Sequence, residues 1–269
     1  MNELLELLSF AFFRNALLAA LLTSIIAGIV GSYIVAKRSV FISSGITHAS
    51  FGGMGIAYYY GWPPFLGAAI FAVLSSIGIE WSSTKAGLRE DSSIAILWSL
   101  GMAIGILFVF ITPGYTPNLM GFLFGDILTV KVSDLIWLFV IAVVCITLIW
   151  LFYPAIVAVA FDNEFATVSG LPVKPIKYLS AIIMAIAIVL SIKVMGIILV
   201  LSLFTIPAAT ANLFSKSLKT VMTGSVIVSC IGSLTGLFIA YYLDLPSGAT
   251  IIFTLTVLFA VMKVYKLLK

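Results

Sequence analysis

The sequence predicts an all-α polytopic membrane protein of about nine transmembrane helices, with eight as the alternative count. Three observations carry this reading. The chain is 62% hydrophobic and 9% charged, whereas a soluble domain is about a quarter charged. Its apolar residues fall in segments close to the roughly 20 residues a bilayer span requires. Its basic residues flank those segments and divide unequally between the two sides created by alternate crossings. At 269 residues, spans and short connections consume nearly the whole chain, which reads as one transmembrane domain over 1–269.

The apolar segments are Asn15–Ala36, Val40–Tyr60, Phe65–Ser83, Ile94–Ile111, Leu135–Ala155, Ile176–Ile192, Val194–Leu213, Val221–Leu243 and Ala249–Met262. The sixth and seventh are nearly continuous. As one helix they would reach about 55 Å, against a hydrocarbon core of about 30 Å. The chain therefore has to break near Gly196, where glycine supplies the backbone freedom. The acidic start, with Glu3 and Glu6, lacks the basic region of a signal peptide. The first segment reads as a retained span.

Charge then sets orientation. With the C-terminus in the cytoplasm, Lys37, Arg38, Lys85, Arg89, Lys174, Lys177, Lys216, Lys219, Lys263, Lys266 and Lys269 fall inside. Arg14, Lys131 and Lys193 fall outside, completing the 14 basic residues. The positive-inside rule favours this arrangement, with an extracytoplasmic N-terminus. The net charge of +4 does not point to nucleic acid, because the basic residues flank spans. Cys145 and Cys230 lie in apolar runs without CxxC spacing and read as small core residues.

Two stretches are not simple spans. Residues 113–128, on the outer side, are too apolar for an ordinary loop and too interrupted for a span. They read as a short interfacial or re-entrant helix, tolerated only against protein or a wet cavity. On the cytoplasmic side, Asp162 suits an N-cap, Glu164 a first turn and Gly170 a C′ position, with Pro172 beyond. That predicts a two-turn helix outside the membrane.

Chemistry centres on the single histidine. His48 lies about ten residues beyond Arg38, roughly 15 Å along a helix, and so near mid-bilayer. An imidazole in hydrocarbon is costly unless a partner, a wet cavity or an ion satisfies it. Ser44 lies one turn below, Gly52 and Gly55 one and two turns above, and Thr47 adjoins it in sequence. A small polar face of this kind suits a pore lining or close helix packing. Asp126, Asp134 and Asp244 map to the outer mouth. Asp134 reads as a cap before Leu135. Asp126 and Asp244 read either as caps or as oxygen ligands for a passing cation. Nitrogen with carboxylate oxygen suits a borderline divalent ion such as zinc or manganese. Pro207 removes a backbone donor inside the seventh segment and frees the Leu203 carbonyl, a kink that Thr205 could help satisfy and that reads as architecture or as a gate, with Gly196 as the other hinge. Glu80, near the inner end of the third segment, reads either as snorkelling or as pairing with Lys85 or Arg89. Gly101-xxx-Gly105 and Gly121-xxx-Gly125 are packing signals of low specificity.

Missing motifs exclude several classes. There is no phosphate-binding G-x-x-x-x-G-K-[ST], so the chain cannot bind ATP through a P-loop. No HExxH and no GxSxG occurs. The expected class is a transporter component, not an enzyme.

The ordered landmarks Ser43-Ser44-Gly-Ile-Thr-His48-Ala-Ser, Arg89-Glu90-Asp91-Ser-Ser-Ile, Phe124-Gly125-Asp126-Ile-Leu, Phe161-Asp162-Asn-Glu164-Phe165-Ala, Lys193-Val-Met-Gly196, Ile206-Pro207-Ala-Ala-Thr and Asp244-Leu-Pro-Ser-Gly resemble the permease subunits of zinc, manganese and iron ABC importers over essentially the whole chain. The resemblance implies a type II importer-like fold in a prokaryotic inner membrane and a homodimer sharing the path. It also implies a cytoplasmic ABC ATPase dimer that uses ATP, and an extracytoplasmic metal-binding protein. The chain itself would hold no cofactor. The segment from Asp162 to Gly170, with Glu164 and Phe165, would be the coupling helix. Many relatives carry Asp one turn before the histidine, where this chain has Ser44. Two other readings are a vitamin B12 or siderophore permease, which is usually longer, and a stand-alone secondary transporter. The latter predicts inverted halves that the sequence does not display.

Overall fold

In the computed structural model, which describes residues 7, 9–85, 87–113, 125 and 127–269, every assigned element among the described residues is helical. The helices are α1 (Ala11–Ala36), α2 (Val40–Tyr59), α3 (Pro64–Lys85), α4 (Glu90–Ile111), α5 (Val132–Phe161), α6 (Asn163–Val168), α7 (Val173–Met195), α8 (Ile197–Asn212), α9 (Leu218–Leu243) and α10 (Ser247–Leu268), with a 3-10 turn at Ile127–Thr129. All but α6 correspond one to one with the apolar segments. Among the described residues, 7 helices are long and apolar enough to cross a membrane. The 16-residue α8 is a shorter apolar helix. The 20-residue α2, which carries His48 and a run of serines and glycines, is not among the 7. The outer-side helix expected over 113–128 lies almost wholly outside the described residues.

The chain divides into two compact units interleaved along the sequence. One comprises residues 1–35, 120–147 and 191–269. Within it, α1 approaches α9 closely at Gly28, where an added Cβ would meet the Val226 backbone at 2.7 Å. Phe13 is fully buried and packs edge-on against Phe238 and Tyr241. Asn15 ties α1 to the connection before α5, its amide donating to the Val130 carbonyl at 3.1 Å. Gly232 and Gly236 of α9 receive Leu255 and Ile251 of α10 in reverse order, so these two helices are antiparallel.

The other unit comprises residues 36–119 and 148–190. Here α2 is the central element, flanked by α3 and α4. A Cβ at Gly52 would lie 2.7 Å from the Gly101 carbonyl oxygen, and one at Gly55 2.6 Å from the Gly105 carbonyl oxygen. Gly45 faces Ile94 of α4. The numbers rise together, so α2 and α4 run parallel. Gly53 and Gly67 abut backbone to backbone between α2 and α3. Lipid offers no hydrophobic drive for helices to associate, so such close approaches let dispersion do the work. The Gly101-xxx-Gly105 spacing is thus spent on α2.

Breaks occur where backbone chemistry demands them. Gly196 separates α7 from α8 with φ +78 and ψ 165, a region open essentially to glycine alone. Gly125, at φ +64, presses its Cα against the Met195–Gly196 peptide, where any Cβ would collide. At Pro207 the expectation needs correction. The helix continues through this buried proline, and the threonine bonded to the backbone there is Thr210, donating to the Ile206 carbonyl at 2.7 Å, rather than Thr205. The departure from helical geometry comes instead at Phe152 (φ −116, ψ 16) in α5, two residues before Pro154. A helical proline crowds the carbonyl four residues back, which distorts the preceding turn.

Ion pairs sort the helix ends. Lys193 Nζ lies 2.6 Å from Asp134 Oδ1, joining the end of α7 to the start of α5. Asp134 is therefore not an N-cap: it lies in the first turn and also accepts from the Lys131 N–H at 3.4 Å. Glu80 pairs with Lys37 at 3.7 Å and Lys177 at 3.5 Å, not with Lys85 or Arg89, both exposed. Five residues along a helix turn about 140°, so Lys85 faces away from Glu80. Residues expected on one side of the bilayer meet one another in both cases.

Replacing Gly52 or Gly105 by Val should push α2 from α4. Overpacking of this kind costs about 1–3 kcal/mol. A melting experiment on the purified protein in detergent should show lowered stability, and an unchanged melting temperature would deny the close contact.

Candidate metal path and docking helix

His48 is positioned by the packing just described. The α2 stripe His48–Gly52–Gly55 lies along the α4 stripe Trp98–Gly101–Gly105. At its foot the imidazole stacks on the Trp98 indole, centroids 4.5 Å apart and planes within 2°. One face of the ring is therefore covered. His48 Nδ1 is buried without a hydrogen-bond partner. An orphaned nitrogen in a low-dielectric setting costs free energy until something satisfies it. The glycines above His48 belong to helix packing. What remains open is the edge of α2 formed by exposed Phe41 and half-buried Ser44 and His48.

The other expected path residues divide clearly. Ser44 shares the His48 edge. Thr47 does not: it is fully buried, about 100° round the helix, and its hydroxyl donates to the Ser43 carbonyl at 2.6 Å. Asp244 belongs to the other compact unit, where it is exposed and serves as the C-cap of α9 in the left-handed region (φ 53, ψ 46). Asp126 lies outside the described residues. Among the described residues, no three side chains of His, Cys, Asp or Glu converge to hold a metal ion. Trp98 was missed in the sequence, because an aromatic in an apolar run carries no signal of what it stacks on.

The short helix α6 is as its sequence dictates. Asp162 caps α6, its Oδ1 accepting from the Glu164 N–H at 3.0 Å and the Phe165 N–H at 2.9 Å. Gly170, at φ +75, closes it. The Gly170 N–H donates to the Thr167 carbonyl and the Leu171 N–H to the Ala166 carbonyl, both at 3.0 Å, the paired bonds of a Schellman ending. Ala166 is buried, while Phe165 is 61% and Val168 89% exposed. Two large apolar side chains thus project from a short, doubly capped helix.

Residues 9–266 match the ABC 3 transport family. The chain belongs to that family. A manganese transport system membrane protein, MntC, of Halalkalibacterium halodurans is 32% identical over 260 residues, covering 95% of this chain and 87% of that protein. The MntC of Listeria monocytogenes is 30% identical over 253 residues, covering 94% and 90%. Among solved structures, PsaBC from Streptococcus pneumoniae in complex with Fab superposes with a TM-score of 0.83 at 30% identity, covering 95% of this chain and 92% of that one. Membership of the ABC 3 family makes this chain the multi-pass membrane component of a transport system.

Because the chain has one histidine, the N-carbethoxyimidazole absorbance formed by diethyl pyrocarbonate reports His48 alone. Trp98→Ala should raise its modification rate several-fold in detergent-solubilised protein. An unchanged rate would mean the indole does not shield the ring.

Proposed function

We propose that this chain is the permease subunit of an ABC importer that carries a divalent metal ion, manganese or zinc foremost and iron third, across a prokaryotic inner membrane. The observation that carries this reading is the buried, unpartnered Nδ1 of His48 on a membrane helix. A neutral imidazole nitrogen is a good ligand for a borderline divalent ion. The names of the two manganese-transport relatives support the choice of cargo.

One histidine is a weak site, and weakness suits transport, because an ion must leave as well as enter. Further ligands would come from a second copy of this subunit, related by a two-fold axis that brings both His48 edges to one path. Asp126 and Asp244 would offer oxygens at the outer entrance. There, an extracytoplasmic metal-binding protein would deliver the ion. A lone hydroxyl at Ser44 has no charge to hold a cation, so release from this path should be fast.

Energy would come from a separate cytoplasmic ATPase dimer, since this chain has no P-loop. Its contact would be α6, whose Phe165 and Val168 are placed to enter an apolar groove. The Asp162 cap and the Gly170 ending keep the helix rigid enough to transmit force. The nine helices other than α6, including the shorter α8, would cross the membrane, with the N-terminus outside and the C-terminus in the cytoplasm.

Uptake of isotopic manganese, zinc and iron by cells carrying the complete transport system tests the assignment. His48→Ala should reduce uptake at least tenfold while the complex still assembles; unaltered uptake and selectivity would return His48 to a packing role. Ser44→Asp should add a charged ligand, lowering the KM for metal and slowing turnover. Phe165→Asp should abolish co-purification of the ATPase, because an unpaired charge would enter an apolar groove, and intact co-purification would remove α6 from the docking contact.

A further inference from the structure

At one end of the second unit, four charged side chains from four separate elements meet. Lys37 precedes α2, Glu80 lies late in α3, Glu90 opens α4 and Lys177 lies early in α7. Lys37 Nζ sits 3.7 Å from Glu80 Oε2 and equally 3.7 Å from Glu90 Oε1. Lys177 Nζ sits 3.5 Å from Glu80 Oε1. The Glu80 side chain is 8% exposed, and those of Lys37 and Lys177 are 19% and 17% exposed. Two cations face two anions, so the cluster is neutral as a whole.

Asn163, the first residue of α6, extends the set. In the amide orientation that satisfies both ends, its nitrogen donates to the Val159 carbonyl at 3.0 Å and its oxygen accepts from Lys177 Nζ at 3.2 Å. Polar contacts therefore run unbroken from α6 through Lys177 and Glu80 to Lys37, two residues before the Ser39 cap of α2. His48 lies about 12 Å along that helix from its start.

A cluster of this kind is poor glue. Apolar residues of similar volume would join the same helices without the desolvation cost of buried charges. The contacts are also longer than the 2.7–2.9 Å of tight charge-assisted bonds. Lys37, equidistant from two carboxylates, has two alternative partners on different helices. A cation shared in this way keeps a partner when one of its two contacts opens, which suits helices that move against each other.

We propose that Glu80 is a positioning residue for transport: it clasps the α6–α7 segment to the base of α2, so that movement of the docking helix reaches the His48 edge. This rests on reading α6 as the ATPase contact. Releasing Lys37 from Glu80 to Glu90 would let α7 move against α2 without stranding a buried charge.

The test uses the assembled permease–ATPase complex in liposomes, with manganese as the transported probe, and measures metal moved per ATP hydrolysed. Glu80→Gln should retain the ATPase subunit and hydrolyse ATP within twofold of wild type, yet move at least fivefold less manganese per ATP. Glu80→Asp keeps a carboxylate between Lys37 and Lys177 and should hold the ratio within twofold of wild type. A Glu80→Gln ratio within twofold of wild type overturns the proposal, as does a Glu80→Asp ratio as low as that of Glu80→Gln. If Glu80→Gln does not assemble, Asn163→Ala cuts only the uncharged link to α6 and should also lower the ratio; an unaltered ratio overturns the clasp. Co-purification of the ATPase is scored separately with Phe165→Asp. Undiminished binding there fails the docking reading and the clasp with it, whereas lost binding beside a normal Glu80→Gln ratio fails the clasp alone.

Discussion

The arrangement of the second unit depends on backbone-to-backbone contact along α2. In lipid, two apolar helices gain nothing by hiding leucines from water, because the acyl chains are equally apolar. Association has to come from dispersion at short range, and that needs surfaces without side chains. Gly45, Gly52, Gly53 and Gly55 provide such a surface, met by Ile94, Gly101, Gly67 and Gly105. The consequence reaches the chemistry. With α4 held this close and parallel, Trp98 falls directly on the face of His48. The imidazole is set in one plane by the same contacts that hold the helices.

The polar groups of the chain are sorted by the same solvent. Threonine hydroxyls inside helices mostly turn back to their own backbone, as Thr23, Thr47 and Thr210 do to the carbonyls of Ala19, Ser43 and Ile206. Charges gather at the helix ends in pairs, Lys193 with Asp134 and Lys37 and Lys177 with Glu80. Exposed aromatic residues cluster near helix ends as well, among them Tyr59, Tyr60, Trp62, Tyr241 and Tyr242, as expected of headgroup-level anchors. His48 Nδ1 is buried without a hydrogen-bond partner, as are the hydroxyls of Ser24, Ser32, Ser225, Ser229 and Ser233, but His48 alone of these is ionisable and a good metal ligand. A group that could have been replaced by an apolar one, or bonded to a neighbouring hydroxyl, is left free.

The short helix α6 shows how local chemistry can be read directly. Asp162, Glu164, Gly170 and Pro172 each announce a position, and the observed cap bonds and left-handed glycine follow them residue by residue. Gly196 was equally legible, because a continuous apolar run too long for the bilayer must break and glycine is where it can. Pro207 misled for the opposite reason. A proline inside a buried helix can be absorbed without departing from helical φ/ψ, and which proline bends its helix depends on neighbours the sequence does not reveal.

By itself the sequence determined that the chain is helical, membrane-embedded and built from segments that each match one observed helix, with several ends displaced by a turn or more, since hydropathy, capping and glycine breaks are properties of neighbouring residues. It also singled out His48, because a lone ionisable group in an apolar run is visible without knowing the fold. Tertiary structure alone decided which partners these residues meet: Trp98 for His48, Lys37 and Lys177 for Glu80, and the α4 backbone for Gly52 and Gly55. Those partners lie tens of residues or more away, and which side chains meet depends on crossing angle and rotation about the helix axis. Helix packing sets these, and no local pattern encodes them.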